Sequence, residues 1–180
     1  MFHLLGLEEE ELQAEQVEPK VDLNWESCGK GRILKVVMNG TGYVGLTTGS
    51  ALAYIGHEVT CVDIDERKIE ALRGGISPIY EPGLEELIKL CNGHLHFTTD
   101  VARAVADADV VFIAVGTPPA PDGAPDLRYV SAAARAVGEH LGEQFTVVVN
   151  KSTVPIGSGN WVEALIREAF EEKRGEKPNG

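Results

Sequence analysis

A short apolar run, Lys35-Val36-Val37-Met38-Asn39, ends in Gly40-Thr41-Gly42-Tyr43-Val44-Gly45 and passes directly into a helix-like pattern over residues 43–56. A second apolar run over residues 58–62 closes on Asp63. Few folds accommodate strand, glycine turn, helix, strand and acid in that order. Gly40 permits a tight turn, Gly42 lets a bulky group approach the backbone, and Gly45 lets the helix lie close to the strand. The helix N-terminus then directs unpaired N–H groups and the positive end of its dipole at whatever sits over the turn. Asp63 lies 18 residues beyond Gly45, near the ~20 at which a carboxylate can accept both hydroxyls of a ribose. The pattern reads as a dinucleotide-binding turn, with a pyrophosphate over residues 40–45 and the adenosine ribose on Asp63. An acid there repels a 2′-phosphate, so NAD is favoured over NADP. The alternative is a glycine turn in an α/β protein that binds something else.

From Lys35 onward strand-like and helix-like patterns alternate, which predicts a parallel sheet with helices on both faces. Strands fit residues 35–39, 58–63, 94–98, 109–115 and 145–150; helices fit 43–56, 65–73, 83–91, 100–107, 127–141 and 159–174. The expected fold is a Rossmann-type doubly wound α/β domain over residues 35–175, followed by a polar tail over 176–180. On the first helix Gly45, Gly49 and Ala53 form a small-residue stripe four apart, suited to close packing on the sheet. Asp100 and Asp126 stand where N-caps are wanted. Trp161, Val162, Leu165, Ile166 and Phe170 share an apolar face of the last helix, which Gly175 should end.

Residues 1–34 differ from the rest. They hold eight acids against three bases and show no sustained period. They read as a disordered acidic extension, with a short docking helix as the alternative. One origin would be over-translation upstream of a non-AUG start at Leu34. The net charge of −12 argues against nucleic acid or an anionic membrane surface as partner, since both need a basic face. No apolar run approaches a membrane span, and Phe2 to Leu7 leads into acids rather than a cleavage site, so a cytoplasmic protein is expected. Cys28, Cys61 and Cys91 fit neither a disulfide framework nor a metal site. Among His3, His57, His94, His96 and His140 only His94 and His96 are suitably spaced, and they read as surface residues; no metal is expected.

Two further loops stand at predicted strand ends, where open α/β sheets bind ligands. In Ala114-Val115-Gly116-Thr117-Pro118-Pro119 the Thr117 hydroxyl can contact a phosphate or ribose, or merely cap backbone. In Asn150-Lys151-Ser152-Thr153-Val154-Pro155-Ile156-Gly157 the Thr153 hydroxyl can enter the same crevice, or serve a loop hydrogen bond. Lys68 can reach the adenosine end of a dinucleotide, or stand solvated on its helix.

Together these segments resemble the N-terminal domain of the UDP-glucose/GDP-mannose dehydrogenase family. The likeness runs through the Gly-x-Gly-Tyr-Val-Gly turn, Asp63 with Lys68, Ser77-Pro78-Ile79-Tyr80-Glu81-Pro82-Gly83-Leu84, and Phe97-Thr98-Thr99-Asp100. It continues through Val115-Gly116-Thr117-Pro118, Asp122-Gly123 and Asp126-Leu127 to Lys151-Ser152-Thr153-Val154-Pro155. The Gly-Thr-Pro, Asp-Gly and Asp-Leu-x-Tyr-Val elements lean towards the branch acting on UDP-glucose; branches acting on GDP-mannose or UDP-N-acetylmannosamine stay open.

The resemblance implies an NAD-dependent, two-step oxidation of a sugar C6 alcohol to a carboxylate, through a thiohemiacetal and a thioester on a cysteine. It also implies that Gly40, Gly42, Tyr43, Val44 and Gly45 hold the pyrophosphate, and Asp63 and Lys68 the ribose. Thr117 would contact the cofactor, and Thr153 the nicotinamide and the hydrolytic water. The partner would be a nucleotide sugar and the complete enzyme a homo-oligomer.

The family's later catalytic glutamate, lysine, asparagine and cysteine segments have no counterpart in these 180 residues. Cys61 and Cys91 lack flanking glycines and a nearby base, so neither is expected to be the nucleophile, and this chain alone is expected to turn over no sugar. Two rivals remain: a non-catalytic NAD-sensing module, which has no reason to carry the Gly-Thr-Pro and Lys-Ser-Thr-Val-Pro loops, and a 3-hydroxyacid dehydrogenase, which would lack Tyr-Glu-Pro-Gly-Leu. Residues 145–149 are expected to form an apolar edge strand that pairs between copies or is poorly covered by the tail.

Overall fold

The computed structural model describes residues 32–178, apart from 92 and 122. The extension up to residue 31, with His3 and Cys28, and Asp122 of the Asp-Gly pair lie outside the described residues. The alternating pattern folds as β1 (Lys35–Asn39), α1 (Tyr43–Tyr54), β2 (Glu58–Val62), α2 (Glu66–Arg73), α3 (Leu84–Leu90) and β3 (Leu95–Thr98). It continues as α4 (Val101–Ala106), β4 (Val110–Ile113), α5 (Arg128–His140), β5 (Val147–Asn150) and α6 (Ser158–Arg174). The strands form one parallel sheet in the order β3-β2-β1-β4-β5. This is the doubly wound α/β fold expected from the alternation.

β1 is central and buried on both faces, which is why its sequence is a continuous apolar run rather than an alternating one. Val36 and Met38 enter one core with Leu46, Ala53, Val59, Cys61, Leu84 and Ile88. Val37 enters the other with Val111, Ile113, Val130, Ala134, Val137 and Val162. The small stripe on α1 does what its spacing suggests: a Cβ on Gly49 would stand 3.0 Å from both Cys61 Sγ and Met38 Cγ. A second close approach joins α5 to α6, where a Cβ on Gly138 would lie 2.3 Å from the Ile166 carbonyl oxygen.

Three local expectations need correction. Asp100 caps α4 by accepting from the Arg103 N–H, but the N-cap of α5 is Leu127 rather than Asp126. Asp126 is taken up by Arg128, whose N–H donates at 3.1 Å and whose guanidinium also donates to both carboxylate oxygens. Phe145 is 83% exposed and precedes β5. There the Thr146 hydroxyl donates to the Ala108 carbonyl at 2.8 Å, so a side chain rather than the ladder holds the chain before Val147. On α6, Val162, Ala169 and Phe170 are buried, whereas Trp161, about 100° round the helix from Val162, is 36% exposed. Gly175 ends that helix with φ of 74°.

Among the described residues β5 pairs only with β4 and is an edge of the sheet. A groove of about 770 Å³ beside it is lined by Phe145 and Val148, by Val162 and Phe170 of α6, and by tail residues Glu176, Lys177 and Pro178. Among the described residues no helix is long and apolar enough to cross a membrane.

Candidate cofactor site

Register aligns the carboxyl ends of four strands. Val62 pairs with Asn39, Asn39 with Ile113, and Ile113 with Asn150. At ~4.8 Å between strands this row spans roughly 14 Å. The glycine turn, Asp63, the Thr117 loop and the Thr153 loop all begin just beyond it. The chain leaves β1 towards β2 and later returns to its other side as β4, so the turn after β1 sits at the topological switch point, where such sheets bind ligands.

The turn is fixed by backbone contacts that side chains would forbid. Gly40 has φ of 115°, and its N–H donates to the Val62 carbonyl at 2.8 Å. A Cβ there would lie 2.6 Å from the Ala114 oxygen, and one on Gly45 would lie 2.0 Å from the Gly40 oxygen. Gly42 is the opposite case, since a Cβ would meet nothing within 4 Å. That open volume faces the start of α1, whose N-cap is Gly42, with no side-chain cap and no acid in the first turn. Tyr43 and Val44, in that first turn, are 57% and 41% exposed. A helix N-terminus with unsatisfied donors beside open volume can hold an anion such as a pyrophosphate. The Tyr43 phenol is pushed above its ordinary pKa by a hydrogen bond to the Glu81 carboxylate and by that group's charge. This ties the turn to the Tyr-Glu-Pro-Gly-Leu segment.

The Asp63 side chain is only 10% exposed. Its Oδ2 accepts from the Thr41 N–H at 3.0 Å and the Thr41 hydroxyl at 2.5 Å, and its Oδ1 accepts from the Asp65 N–H at 3.0 Å. Lys68 Nζ stands 3.7 Å from Oδ2. Partial burial pushes the carboxyl pKa up, but the Thr41 hydroxyl, the two N–H donors and the Lys68 charge together hold it below the ordinary value. The group is an anion fixed in place, with Lys68 turned towards it rather than free in solvent.

Thr117 is half-buried and Thr153 exposed; among the described residues neither hydroxyl has a hydrogen-bond partner, so neither caps its own loop. Ser152 joins the two loops. Its hydroxyl donates to the Val115 carbonyl at 2.9 Å, and its N–H and that of Lys151 donate to the Ile113 carbonyl at 3.0 and 2.8 Å. The Thr117 loop closes as a miniature hairpin, with a bridge between Pro119 and Pro125 and the Asp126 N–H on the Pro118 carbonyl at 2.8 Å.

Sequence reasoning missed Thr41, Ser152 and Glu81. Thr41 was the most accessible of them, because a carboxylate at the end of a buried strand needs donors, and a hydroxyl between two glycines of the facing turn is well placed to supply one.

The cysteines are core residues. Cys61 is fully buried, and burial pushes its thiol up to about 12. Cys91 is 3% exposed and also raised by burial, its Sγ donating to the Ser50 carbonyl at 3.5 Å. Neither is a thiolate at neutral pH. His94 and His96 are exposed and face Glu58 at 2.7 and 3.6 Å. Among the described residues no group of three or more His, Cys, Asp or Glu could hold a metal ion.

Residues 34–178 match the NAD binding domain of the UDP-glucose/GDP-mannose dehydrogenase family. The UDP-glucose 6-dehydrogenase of Rhizobium meliloti is 55% identical over 138 residues, covering 75% of this chain and 31% of that protein. Among solved structures, a UDP-glucose dehydrogenase from Pyrobaculum islandicum superposes with a TM-score of 0.73 at 43% identity, over 83% of this chain and 35% of the other. A GDP-mannose dehydrogenase from Pseudomonas aeruginosa gives 0.72 at 38% identity, over 80% and 33%. The chain thus spans about a third of the length of the relatives it matches.

Proposed function

The chain belongs to the UDP-glucose/GDP-mannose dehydrogenase family, as its NAD-binding domain, and from that premise we propose that it serves the oxidation of UDP-glucose at C6 to UDP-glucuronate. The choice of sugar nucleotide rests on relatives such as the UDP-glucose 6-dehydrogenase of Rhizobium meliloti, at 55% identity. NAD, when bound, supplies the hydride acceptor for each of the two oxidation steps. The chain's own residues bind and orient it. The N–H groups of the turn over residues 40–45 and the start of α1 receive the pyrophosphate. Tyr43 and Val44 flank it, and Asp63 accepts from the adenosine ribose with Lys68 at its edge. Ile64, 92% exposed beside Asp63, offers an apolar surface to the base. Thr117 and Thr153, whose hydroxyls have no partner among the described residues, serve the nicotinamide end, and Thr153 also the water of hydrolysis. Cys61 and Cys91 take no part.

The observation that carries this reading is the combination, at one switch point, of open volume at Gly42, an uncapped helix N-terminus and an anionic, hydrogen-bonded Asp63. The same acid disfavours a 2′-phosphate. The reading puts the protein in the cytoplasm, with no nucleic-acid or membrane partner and with the complete enzyme a homo-oligomer.

Calorimetric titration tests it. NAD should bind more tightly than NADP. Asp63→Ala should weaken NAD by about tenfold or more, since hydrogen bonds to a charged group contribute roughly 1.5–3 kcal/mol. Equal affinities for the two cofactors, or an unchanged affinity in the variant, would remove the ribose role. Parallel assays of the complete enzyme with UDP-glucose and GDP-mannose decide the sugar.

A further inference from the structure

A carboxylate offers about four lone-pair positions, and in Asp63 three are taken within the protein. Both on Oδ2 go to Thr41, through its N–H at 3.0 Å and its hydroxyl at 2.5 Å, and one on Oδ1 goes to the Asp65 N–H at 3.0 Å. Thr41 is 1% exposed, so water cannot readily compete for its hydroxyl, and its backbone is held by the turn through neighbouring Gly40. The contact crosses from the turn after β1 to the end of β2. It joins the phosphate-facing loop to the acid without passing through a ligand.

We infer that Thr41 is a positioning residue for the cofactor: its hydroxyl locks Oδ2 of Asp63, so that the carboxylate meets the ribose with Oδ1 alone and accepts one hydroxyl rather than two. The inference deepens the NAD reading and rests on it for the ligand. Two consequences follow. The carboxylate is immobilised before the cofactor arrives, so binding does not bear the cost of ordering it. The donors that immobilise it also favour its ionised form, so NAD binding persists to lower pH than an unbuttressed Asp would allow. Lys68, at 3.7 Å and 42% exposed, cannot replace the lock, because an exposed pair of this kind contributes little orientation.

The experiment compares the unsubstituted protein with Thr41→Val, which keeps the shape and the N–H but loses the hydroxyl, and Thr41→Ser, which keeps the hydroxyl. NAD affinity is measured by calorimetry from pH 7 down to the acid limit of folding, with native folding checked by circular dichroism. Thr41→Val should bind NAD about tenfold more weakly at neutral pH and lose binding at a higher pH as acid is added. Thr41→Ser should follow the unsubstituted protein in both respects. Thr41→Val within twofold of the unsubstituted protein and with the same acid limb overturns the inference, as does equal impairment of both variants.

A second measurement needs neither variant nor ligand. By NMR the Thr41 hydroxyl proton should exchange slowly, with a chemical shift that follows the titration of the Asp63 carboxyl. A rapidly exchanging hydroxyl, or one blind to that titration, overturns the inference even if both variants unfold. Failure of the unsubstituted protein to bind NAD refutes the function and not the lock, which this measurement decides separately.

Discussion

Replacing Asp63 by Asn keeps the side chain's shape and removes its charge, and the structure sets the cost. Three donors point at the carboxylate: the Thr41 N–H and hydroxyl at Oδ2, and the Asp65 N–H at Oδ1. An amide can turn its oxygen to Thr41 and keep two bonds, each weaker by roughly 1 kcal/mol once the acceptor is neutral. Its NH₂ then faces the Asp65 N–H, donor against donor, at a further cost of about 1 kcal/mol because exposed Asp65 can turn to water. Loss of the Lys68 pair adds little, since Lys68 is 42% exposed. The expected total is about 3 kcal/mol, a large share of the 5–15 kcal/mol that holds a typical domain.

The pH dependence separates this from a packing defect. The folded-state pKa of Asp63 lies below the ordinary 3.8, so the carboxylate's contribution is fully present above that value. It is lost as pH falls from there through the lower folded-state value. Urea unfolding at pH 7 should show the full gap between the protein and Asp63→Asn, and the gap should narrow steadily as pH drops below about 4. A gap under about 0.5 kcal/mol at pH 7, or one that is constant from pH 7 to pH 3, would refute the assignment of three donors to this carboxylate.

Three further outcomes are expected. Gly45→Ala places a Cβ 2.0 Å from the Gly40 oxygen, so α1 must move off the turn; calorimetry should show NAD affinity reduced by at least about tenfold, and melting should report a loss of about 1–3 kcal/mol. Cys61 and Cys91, buried and with raised pKa, should resist thiol reagents at pH 8 until denaturant is added, and mass spectrometry of the native protein should find both unlabelled. Val147, 44% exposed on the outer strand, should support strand pairing between copies; Val147→Lys should shift sedimentation of this chain towards the monomer at the same concentration.

Local chemistry made much of this protein legible in its sequence. Gly40 and Gly45 stand where any Cβ would strike backbone. Helical periodicity and continuous apolar runs located every described element to within two residues of its ends, because burial of one helix face imposes the first and burial of a whole strand the second. The parallel order followed from strand–helix alternation and placed the turn, Asp63 and the two hydroxyl loops at one edge.

What sequence could not supply depended on which atoms meet across the sheet. Asp126 accepts from the Arg128 N–H at the start of α5 and from the Arg128 guanidinium as well, yet the N-cap residue is Leu127, a one-residue shift that spacing along the chain does not resolve. Thr117 and Thr153 could each be read as a loop cap until the structure left both hydroxyls without a partner among the described residues and gave the bridging role to Ser152. Asp63 read as a carboxylate open on both oxygens, yet the turn 22 residues upstream occupies one of them through Thr41. Spacing along the chain determines which side chains reach an edge; only the register between β1 and β2 decides which lone pairs are still free when they arrive.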